Sequence, residues 1–527
     1  ANDDDATLFE HELTWSLLHQ VFSFNSPVWF NVGTKSPQQV SACFILSVDD
    51  SMDSILNWYR EEGFIFKGGS GAGLNLSRIR SSKELLSSGG TASGPVSFMR
   101  GADASAGTIK SGGATRRAAS PISAIRRMVA ADTRLSSDQV PFMQRIACPE
   151  RDDWQATAES VGFTFHTIEG ERYWDERAYY AFTLDEIERS IEAPTGEIDA
   201  MCLELAGRAV RDERYLRRLK IPEAFWDLIA ASWRRRDPSL YGRLDLSFDG
   251  SSPAKLLEYN ADTPTSIFEA AVFQWTWLEQ AIARNIIPKR ADQFNSIHER
   301  LIEAWKTIGA NHPLHLTGLT GNAEDAGTLA YLEDTAAQAG LKTTLLDIEE
   351  IGLRDDGQFV DLDESLIALA FKLYPWEWMF HDAFGKNLSS APTQWIEPPW
   401  KAILSNKGIL PLLWEMFPGH PNLLPAWFDD DPQAAQLGTS FVRKPIYSRE
   451  GANVELVSAG VTLVAEQGPY GAEGFIRQAL APLPNFSGQY PVLGSWLVDH
   501  TPCGLSIRED ENPITGNTSR FLPHAIL

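Results

Sequence analysis

The stretch that decides the fold is Tyr241-Gly-Arg-Leu-Asp-Leu-Ser-Phe-Asp-Gly-Ser-Ser-Pro-Ala-Lys-Leu-Leu-Glu-Tyr-Asn-Ala-Asp262. Its centre, Asp249-Gly250 followed by Ser-Ser-Pro, is typical of a turn, and the residues on both sides favour strands. The stretch therefore predicts a β-hairpin. Because successive side chains of a strand point to opposite faces, Arg243, Asp245 and Ser247 share one face of the first strand.

Closing the hairpin brings polar side chains of both strands together. Opposite residues of antiparallel strands have a constant index sum, and a turn near residue 251 gives sums of about 501 to 503. The value 503 places Asp245 opposite Glu258 and Arg243 opposite Asn260. Two carboxylates and an amide are oxygen ligands suited to Mg²⁺, and an arginine beside them would stabilise a transferring phosphoryl group. The alternative is a solvated hairpin with surface ion pairs, and the pattern alone leaves both open.

Two further stretches place basic residues where a nucleotide could bind. A short β run ends in Lys444-Pro445 and is followed by Arg449-Glu-Gly451, a loop composition that can cover phosphates. Lys407 precedes the apolar run 409–414. The alternatives are an ordinary strand end for Lys444 and a solvated lysine for Lys407.

The wider pattern mixes helices with short strands. Residue patterns predict strands at 241–248, 254–260, 313–317, 342–346 and 367–373. They predict helices over 197–219, 264–284 and 322–339, with another opened by Pro222. This mixture predicts a layered α/β to α+β protein rather than a bundle or a sandwich.

Charge is distributed unevenly along the chain. The 527 residues carry a net charge of −24, and the 13 basic and 14 acidic residues before Met143 leave −23 for residues 143–527. An acidic chain of this kind is not expected to bind nucleic acids in general. The acidic surface serves solubility on one interpretation and attracts a cationic substrate on the other.

Cysteine content and hydropathy exclude other classes. None of the four cysteines forms a CxxC pair, so a cysteine zinc site and a disulfide scaffold are not expected. No stretch of eighteen apolar residues or secretory signal pattern occurs, so we expect a cytoplasmic protein without a membrane partner. The chain begins without Met, which is consistent with a fragment or a processed product.

Texture divides the chain into three parts. Residues 1–118 are rich in Gly and Ser, 119–142 show no strong period, and 143–527 hold fourteen of the seventeen tryptophans. We therefore predict one domain over 1–118, a junction over 119–142 and a second domain over 143–527.

The second domain resembles the synthetase domain of the glutathionylspermidine synthase family and its stand-alone relatives. The motifs that carry the resemblance, in chain order, are Tyr173-Trp-Asp-Glu176, Asp237-Pro-Ser-Leu-Tyr-Gly-Arg243, Leu257-Glu-Tyr-Asn-Ala-Asp262, Ser405-Asn-Lys-Gly-Ile-Leu-Pro411, Phe417-Pro-Gly-His420, Arg443-Lys-Pro-Ile446 and Ser506-Ile-Arg-Glu-Asp510. The resemblance implies an ATP-grasp fold with a pre-ATP-grasp region. It also implies an ATP-dependent carboxylate–amine ligase that forms an amide bond through an acyl-phosphate.

The same resemblance implies roles for individual residues. The residues matching the magnesium ligands are Asp245, Glu258 and Asn260. Those matching groups at the transferring phosphate or the acyl-phosphate are Arg243, Arg449 and Arg508. Those matching the ATP side are Lys407, Lys444 and Gln478. Thr263 and Thr265 stand where the family has small hydroxyl residues, and Lys401 replaces an expected small polar residue on the acyl-substrate side.

Residues 1–118 resemble a different family, the adenosylcobalamin-dependent (class II) ribonucleotide reductases. The motifs are Phe24-Asn-Ser-Pro-Val-Trp-Phe-Asn-Val-Gly33, Ser41-Ala-Cys-Phe44, Gly69-Ser-Gly-Ala-Gly-Leu-Asn-Leu-Ser-Arg-Ile-Arg80, Gly90-Thr-Ala-Ser-Gly-Pro-Val96 and Ser111-Gly-Gly-Ala-Thr-Arg-Arg117. Cys43 matches one cysteine of that family's redox pair, but its radical cysteine and the partner cysteine have no counterpart here. We therefore expect a truncated reductase-like segment without reductase activity.

The predicted substrates are a small-molecule acid (a peptide or an amino acid) and an amine. The family resemblance and the charge of residues 143–527 favour a cationic amine such as a polyamine. Glu377, in Pro375-Trp-Glu-Trp378, is the candidate carboxylate facing that amine, and its alternative is a partly buried acid paired at a strand end. The competing functions are a reductase-derived fusion and a non-catalytic ATP-binding protein.

Overall fold

The computed structural model describes residues 43–67, 71–75, 78–80, 98, 143–168, 170–309 and 312–527. The chain separates into two compact units, residues 1–139 and 140–527. The junction over 119–142 lies outside the described residues, so this domain boundary stays a prediction. Within the described ranges, no helix is both long and apolar enough to cross a membrane.

The described part of the first unit is a β-α-β element. Strands Cys43–Ser47 and Gly71–Asn75 pair in parallel, and helix Met52–Lys67 lies between them in the sequence. Parallel neighbours require such a crossover because a tight turn can join only antiparallel strands. Among the residues that the structure describes in this unit, Val48, Ile55, Trp58 and Ile79 form a buried apolar cluster.

A five-stranded antiparallel sheet, the central sheet, contains the predicted hairpin. Its strands, in spatial order, are Arg520–Leu522, Thr501–Asp510, Tyr490–Val498, Tyr241–Ser247 and Lys255–Asn260. Leu244, Leu246 and Leu256 are fully buried, whereas Asp245 and Glu258 remain partly accessible. The apolar face of the hairpin therefore packs into the core and leaves the polar face for a site.

A four-stranded parallel sheet lies in the same unit. Its strands, in spatial order, are Thr343–Asp347, Leu314–Gly318, Leu369–Leu373 and Gln394–Ile396. Helix Ala323–Gln338 follows the strand Leu314–Gly318, and Asn322 caps it by accepting hydrogen bonds from two backbone N–H groups. In parallel sheets ligands bind at the carboxyl ends of the strands, where loops and helix starts collect.

A second antiparallel sheet of five strands, the nucleotide-side sheet, completes the large elements. Its strands, in spatial order, are Ala426–Phe428, Phe475–Ala479, Phe441–Pro445, Glu455–Ser458 and Val461–Ala465. The edge strand Val461–Ala465 exposes Val461 and Leu463. Smaller sheets are formed by His524–Ile526, Ala178–Phe182 and Gln144–Ala147, by Gly352–Leu353 with Phe359–Val360, and by Thr167–Ile168 with Glu171–Arg172.

Helices cover the sheets of the second unit. The α-helices are Trp154–Ser160, Leu184–Glu186, Ala193–Ala209, Glu213–Arg218, Trp226–Arg235, Gln274–Ala283, Ile297–Ile308, Ala323–Gln338, Trp376–Met379 and Ile409–Met416. The 3₁₀-helices are Glu223–Phe225, Ile348–Glu350, Gly385–Asn387, Pro399–Ile403 and Pro432–Leu437, and π-helices span Ile187–Glu192 and Glu269–Phe273.

The predicted helix 197–219 is wrong as a single element. The structure has two helices there, Ala193–Ala209 and Glu213–Arg218. Asp212 stands between them in an extended conformation, and its carboxylate accepts a hydrogen bond from the backbone N–H of Arg214. An aspartate of this kind starts a new helix, which explains the break.

Candidate active site

The hairpin has the predicted register. Arg243 lies opposite Asn260 and Asp245 lies opposite Glu258, and the pairing then shifts, so that Leu246 faces Leu256. Leu257 is therefore an extra residue in the second strand, a β-bulge. Bulges bend a strand and re-aim the groups beside them. Here the carbonyl of Leu257 accepts a hydrogen bond from Nζ of Lys444 at 2.8 Å.

Charged and polar contacts connect the four residues on the hairpin's polar face. Nε of Arg243 lies 2.7 Å from Oδ1 of Asp245, and Nη1 of Arg243 donates to the carbonyl of Thr265 at 2.7 Å. Nδ2 of Asn260 donates to Oδ2 of Asp245 at 3.0 Å and to Oε1 of Glu258 at 3.4 Å. The two carboxylates thus lie on either side of one amide group.

The two carboxylates differ in their electrostatic surroundings. Burial raises the pKa of Asp245, and the guanidinium of Arg243 only partly opposes this shift. Burial would also raise the pKa of Glu258, but Lys407 and Lys444 outweigh it and hold that pKa at about 2. Glu258 is therefore ionised at neutral pH. Nζ of Lys407 lies 2.9 Å from Oε2 of Glu258, so this lysine is not an isolated solvated cation.

One cavity of about 160 Å³ collects most of the predicted site residues. Ten of them line it: Arg243, Asp245, Glu258, Asn260, Thr263, Thr265, Glu377, Lys407, Arg449 and Arg508. The lining comes from the central sheet, from Glu377 in helix Trp376–Met379, from the segment 405–410 and from the loop at Ser448–Gly451. Residues that are far apart in sequence therefore converge on one volume, which we call the acyl cavity.

A second cavity of about 360 Å³, the nucleotide cavity, holds the other two predicted residues, Lys444 and Gln478. Apolar side chains from both antiparallel sheets line most of it, among them Leu257, Val442, Leu456, Leu463 and Val492. Asp245, Glu258 and Lys407 border both cavities. The two volumes therefore meet at the hairpin's polar face.

Lys444 and Gln478 form a buried pair in the nucleotide cavity. Nζ of Lys444 donates to Oε1 of Gln478 at 2.9 Å, and Nε2 of Gln478 donates to the carbonyl of Leu256 at 2.9 Å. Burial lowers the pKa of Lys444 to about 8, although the carboxylate of Glu258 opposes the shift. Lys444 is thus a cation whose charge is sensitive to pH near neutrality.

Arg449 connects the two predicted substrate-side residues. Its Nη2 donates to Oγ1 of Thr263 at 2.8 Å and lies 3.7 Å from Oε1 of Glu377. Its guanidinium also lies over the ring of Trp378, 5.1 Å from the centroid. Burial raises the pKa of Glu377 despite the opposing charge of Arg449. Glu377 is a largely buried acid paired with Arg449, and it also lines the acyl cavity. Features of both alternatives for this residue, the paired acid and the site carboxylate, are therefore present.

Arg508 is held by backbone carbonyls rather than by a carboxylate. Its guanidinium donates to the carbonyls of Ser519, Gly516 and Asn517 at 2.9 to 3.1 Å, and it lies over the ring of Tyr173. Contacts with neutral acceptors leave its positive charge available to an anion in the cavity.

Sequence reasoning missed an acidic cluster beside these arginines. It consists of Glu269, Glu324, Asp325 and Glu450. Burial, with a contribution from Glu324, raises the pKa of Glu269 to about 7 and that of Asp325 to about 6. One carboxylate oxygen of Glu269 and one of Glu324 are buried without a hydrogen-bond partner in the described structure. The missed signal was the adjacent pair Glu324-Asp325 in the first turn of the predicted helix 322–339, just beyond the carboxyl end of the predicted strand 313–317.

Lys401 does not occupy the place expected from the resemblance. Its side chain is buried, lies 2.8 Å from Oε2 of Glu397 and donates to the carbonyl of Tyr241. It lines neither the acyl cavity nor the nucleotide cavity. The expected substrate-side position is therefore wrong, because Glu397 and Tyr241 hold this ammonium inside the protein.

The comparison with protein families decides the relationship of the second unit. Residues 145–527 match the family described as glutathionylspermidine synthase preATP-grasp. The chain belongs to this family. The predicted mixed α/β to α+β, ATP-grasp fold class is thereby confirmed, and the chain is an ATP-dependent ligase that forms C–N bonds. Residues 41–123 separately match the barrel domain of ribonucleotide reductase, which confirms the second resemblance.

Individual relatives show how far each similarity extends. A Haemophilus influenzae protein described as a candidate acid–amine ligase is 41% identical over 390 residues, which cover 71% of this chain and 97% of that protein. The bifunctional glutathionylspermidine synthetase/amidase of Escherichia coli is 27% identical over 375 residues, 66% of this chain and 59% of that enzyme. The vitamin B12-dependent ribonucleotide reductase of Streptomyces clavuligerus is 87% identical over 119 residues, only 12% of that enzyme.

Proposed function

We propose that residues 143–527 join a small carboxylic acid to an amine by way of an acyl-phosphate, at the expense of ATP. The observation that carries the proposal is the convergence of Arg243, Arg449 and Arg508 with Asp245 and Glu258 on one cavity. Three guanidinium groups suit phosphates and carboxylates, and the paired acids suit a metal ion that bridges phosphates. The adjoining nucleotide cavity is apolar, as an adenine ring requires.

The residues present also fit Mg²⁺. Among the described residues, no three His, Cys, Asp or Glu side chains are grouped to hold a metal. The proposed donor set instead combines the carboxylates of Asp245 and Glu258 with the amide of Asn260. The low pKa of Glu258 keeps this donor anionic, and rotation of the Asn260 amide would present its oxygen. When bound, Mg²⁺ would neutralise phosphate charge and orient the transferring group.

The proposed reaction has two steps. A carboxylate oxygen of the acid attacks the γ-phosphorus of ATP, the bond to the β-phosphate oxygen breaks, and ADP leaves. The amine nitrogen then attacks the acyl carbon, the bond to phosphate breaks, and the nitrogen loses a proton. The chain's own contribution is positioning and charge stabilisation, with Arg243, Arg449 and Arg508 around the phosphoryl oxygens. Lys407, Lys444 and Gln478 are proposed to hold ATP.

A cationic amine is the proposed acceptor. The acidic cluster lies beside Arg449 and Arg508, and its buried oxygens without partners would be satisfied by an ammonium group. Glu377 is proposed to face the same amine, and Thr263 and Thr265 to contact the acid. The cluster is local, whereas the net charge of −23 over residues 143–527 acts at longer range. A cytoplasmic location and the absence of nucleic-acid partners remain predictions.

The reductase-like segment is proposed to have no reductase activity. It matches about an eighth of the Streptomyces clavuligerus reductase. A radical reduction needs further cysteines that no motif of this chain supplies. Ribonucleotide reduction by the full chain with adenosylcobalamin would contradict this proposal.

The ligase proposal is tested by product formation. Glutathione and spermidine, followed by a panel of peptides and amines, are incubated with the full chain, ATP and Mg²⁺. Phosphate release should depend on both substrates, and the product mass should equal acid plus amine minus water. Hydroxylamine should trap the activated acid as a hydroxamate with release of ADP. Release of AMP and pyrophosphate, or ATP turnover that ignores both substrates, would contradict the acyl-phosphate route.

A further inference from the structure

A buried ion pair lies at the wall of the acyl cavity, which its acidic member, Asp262, also lines. Nζ of Lys372, on strand Leu369–Leu373, is 2.5 Å from Oδ1 of Asp262, two residues beyond the hairpin. The side chains are 0% and 2% exposed. The pair therefore ties the parallel sheet to the end of the central-sheet hairpin across 110 residues of sequence.

Both oxygens of Asp262 are engaged. Oδ1 contacts Lys372, and Oδ2 accepts a hydrogen bond from the backbone N–H of Trp376 at 2.9 Å. Nζ of Lys372 also donates to the carbonyl of Tyr374 at 2.9 Å and lies 4.6 Å from the centroid of the Trp376 ring. The two side chains thus bind the backbone of the residues on both sides of Pro375, Tyr374 and Trp376.

The hydrogen bond from Asp262 takes the place of a cap by the residue that precedes the helix. Helix Trp376–Met379 begins after Pro375, whose side chain forms no capping hydrogen bond. The first N–H groups of a helix lack internal partners, and a carboxylate satisfies them best. Asp262 supplies that acceptor from a different sheet. Asp262 thus holds the first turn of the helix, together with the buried indole of Trp376, whose N–H donates to the carbonyl of Glu397 at 3.2 Å.

The next residue on each side of this contact lines the site. Thr263 follows Asp262, Glu377 follows Trp376, and both line the acyl cavity. Arg449 lies between them, 2.8 Å from Oγ1 of Thr263 and 3.7 Å from Oε1 of Glu377. A shift of Trp376 relative to Asp262 would therefore change the spacing of Glu377 from Thr263 and Arg449.

Stability does not explain the pair. Removing two charges from water costs about as much as their attraction returns, and apolar replacements of a whole buried pair are often neutral or stabilising. A second buried pair, Lys401 with Glu397, has the same chemistry but lines neither cavity. It provides a comparison in which side-chain substitutions leave in place the backbone carbonyl of Glu397, which accepts a hydrogen bond from the Trp376 indole N–H at 3.2 Å.

We propose that Asp262, oriented by Lys372, is a positioning residue that fixes Glu377 in the acyl cavity and thereby sets recognition of the amine. The proposal deepens the proposed acid–amine ligase function and rests on it. Asp262 acts through the Trp376 N–H group, since both of its carboxylate oxygens are already engaged.

Two double variants separate positioning from simple structural support. Lys372→Met with Asp262→Asn (the Asn form) removes the charges but keeps an acceptor for the Trp376 N–H. Lys372→Met with Asp262→Leu (the Leu form) removes both the charges and the acceptor. We expect the Leu form to raise the KM for spermidine about tenfold or more, the effect of one or two lost hydrogen bonds. The KM of the Asn form for spermidine should stay within about threefold of the wild-type value. The KM for ATP should be unchanged in both forms.

Hydrogen exchange of the Trp376 amide provides a readout independent of turnover. Exchange should accelerate in the Leu form only, and the control double variant Lys401→Met with Glu397→Gln should change neither exchange nor the KM for spermidine. Equal KM values for the Leu and Asn forms, unchanged exchange in the Leu form, or the same KM shift in the control would overturn the proposal. If the wild-type chain makes no acid–amine product, the proposed function falls, and the exchange of Trp376 alone decides whether Asp262 positions this helix.

Discussion

Nζ of Lys407 lies 2.9 Å from Oε2 of Glu258, and this contact joins the loop at Ser405–Gly408 to the hairpin at the point where the two cavities meet. Glu258 therefore has a lysine on each side, because Lys444 lies in the nucleotide cavity. The polyphosphate oxygens of a nucleotide would bind the same two lysines and compete with Glu258 for them. The carboxylate oxygens of Glu258 would then be free to bind a metal ion.

Replacing Glu258 should remove most of the activity. The Glu258→Ala variant is expected to turn over more slowly by a factor on the order of 10² or more. A phosphate-bridging ion would lose a ligand, and Lys407 and Lys444 would lose their carboxylate partner. The Mg²⁺ concentration for half-maximal rate should also rise. Asp249→Asn, in the exposed turn of the same hairpin, is the control and should keep wild-type turnover. Similar rates for Glu258→Ala and the wild type would contradict the metal assignment.

The affinity for ATP should depend on pH through Lys444. Its pKa is about 8 because burial disfavours the ammonium form, so the side chain is charged below that pH and neutral above it. The KM for ATP should therefore rise as the pH passes upward through this value. Lys444→Arg keeps the charge over the whole range and should flatten the profile. A wild-type profile that is flat across pH 8, or one that Lys444→Arg leaves unchanged, rules out this role.

Stability should depend on pH through Glu269. Its pKa is about 7 in the folded protein and 4.5 for an ordinary glutamate, so the folded state binds the extra proton between these values. The free energy of unfolding should therefore fall as the pH rises from 4.5 to 7, by on the order of 3 kcal/mol at 1.36 kcal/mol per pKa unit. Glu269→Gln should remove this slope in urea unfolding. The same substitution at the exposed Glu279 of the following helix is the control and should leave the slope in place.

Acceptor choice should depend on charge. Spermidine and a diamine should be better acceptors than a neutral amino acid, and raising the salt concentration should narrow the difference. Glu377→Gln and Asp325→Asn should each raise the KM for spermidine and leave the KM for ATP unchanged. If the neutral acceptor is used best and neither substitution alters the preference, the cationic-acceptor assignment fails while the ligase assignment survives.

The second unit should function alone. A chain that begins at Met143 retains every residue of both cavities, and its new N-terminus lies at the carboxylate of Glu186, which already accepts a hydrogen bond from the Met143 N–H. We expect it to unfold cooperatively and to match the full chain in turnover. An insoluble or inactive product beside an active full chain would make residues 1–142 a required partner.

Local pattern was sufficient for the site end of the hairpin but missed the bulge at Leu257, where the constant index sum fails. Its alternating residues and turn chemistry predict the pairing of Asp245 with Glu258, because register and face follow from sequence position in a short antiparallel pair. The apolar partners Leu244 and Leu246 are buried as expected. The resemblance to the family added Lys407, Arg449 and Arg508, which no local pattern connects to the hairpin.

Long-range contacts were beyond local pattern. Glu269 lies in a helical segment and pairs with Tyr173 at 2.6 Å, almost a hundred residues away. Asp262 caps a helix that starts more than a hundred residues later. Such contacts depend on how two sheets pack, which no single periodicity encodes. For Lys401, the resemblance to the family suggested a position on the substrate side. Packing instead places its side chain in the interior, paired with Glu397.

The bulge at Leu257 separates two lengths of hairpin that evolve under different constraints. On the site side of the bulge, deleting Tyr259 would turn either Glu258 or Asn260 toward the core and divide the polar face, whereas deleting Leu257 would only remove the bulge. On the turn side, the loop at Asp249–Pro253 can grow or shrink in whole pairs of residues without disturbing the pairing of Asp245 with Glu258. Insertions and deletions among natural homologues should therefore accumulate at the tip of this hairpin and at the bulge, while the three residues from Glu258 to Asn260 keep a fixed length.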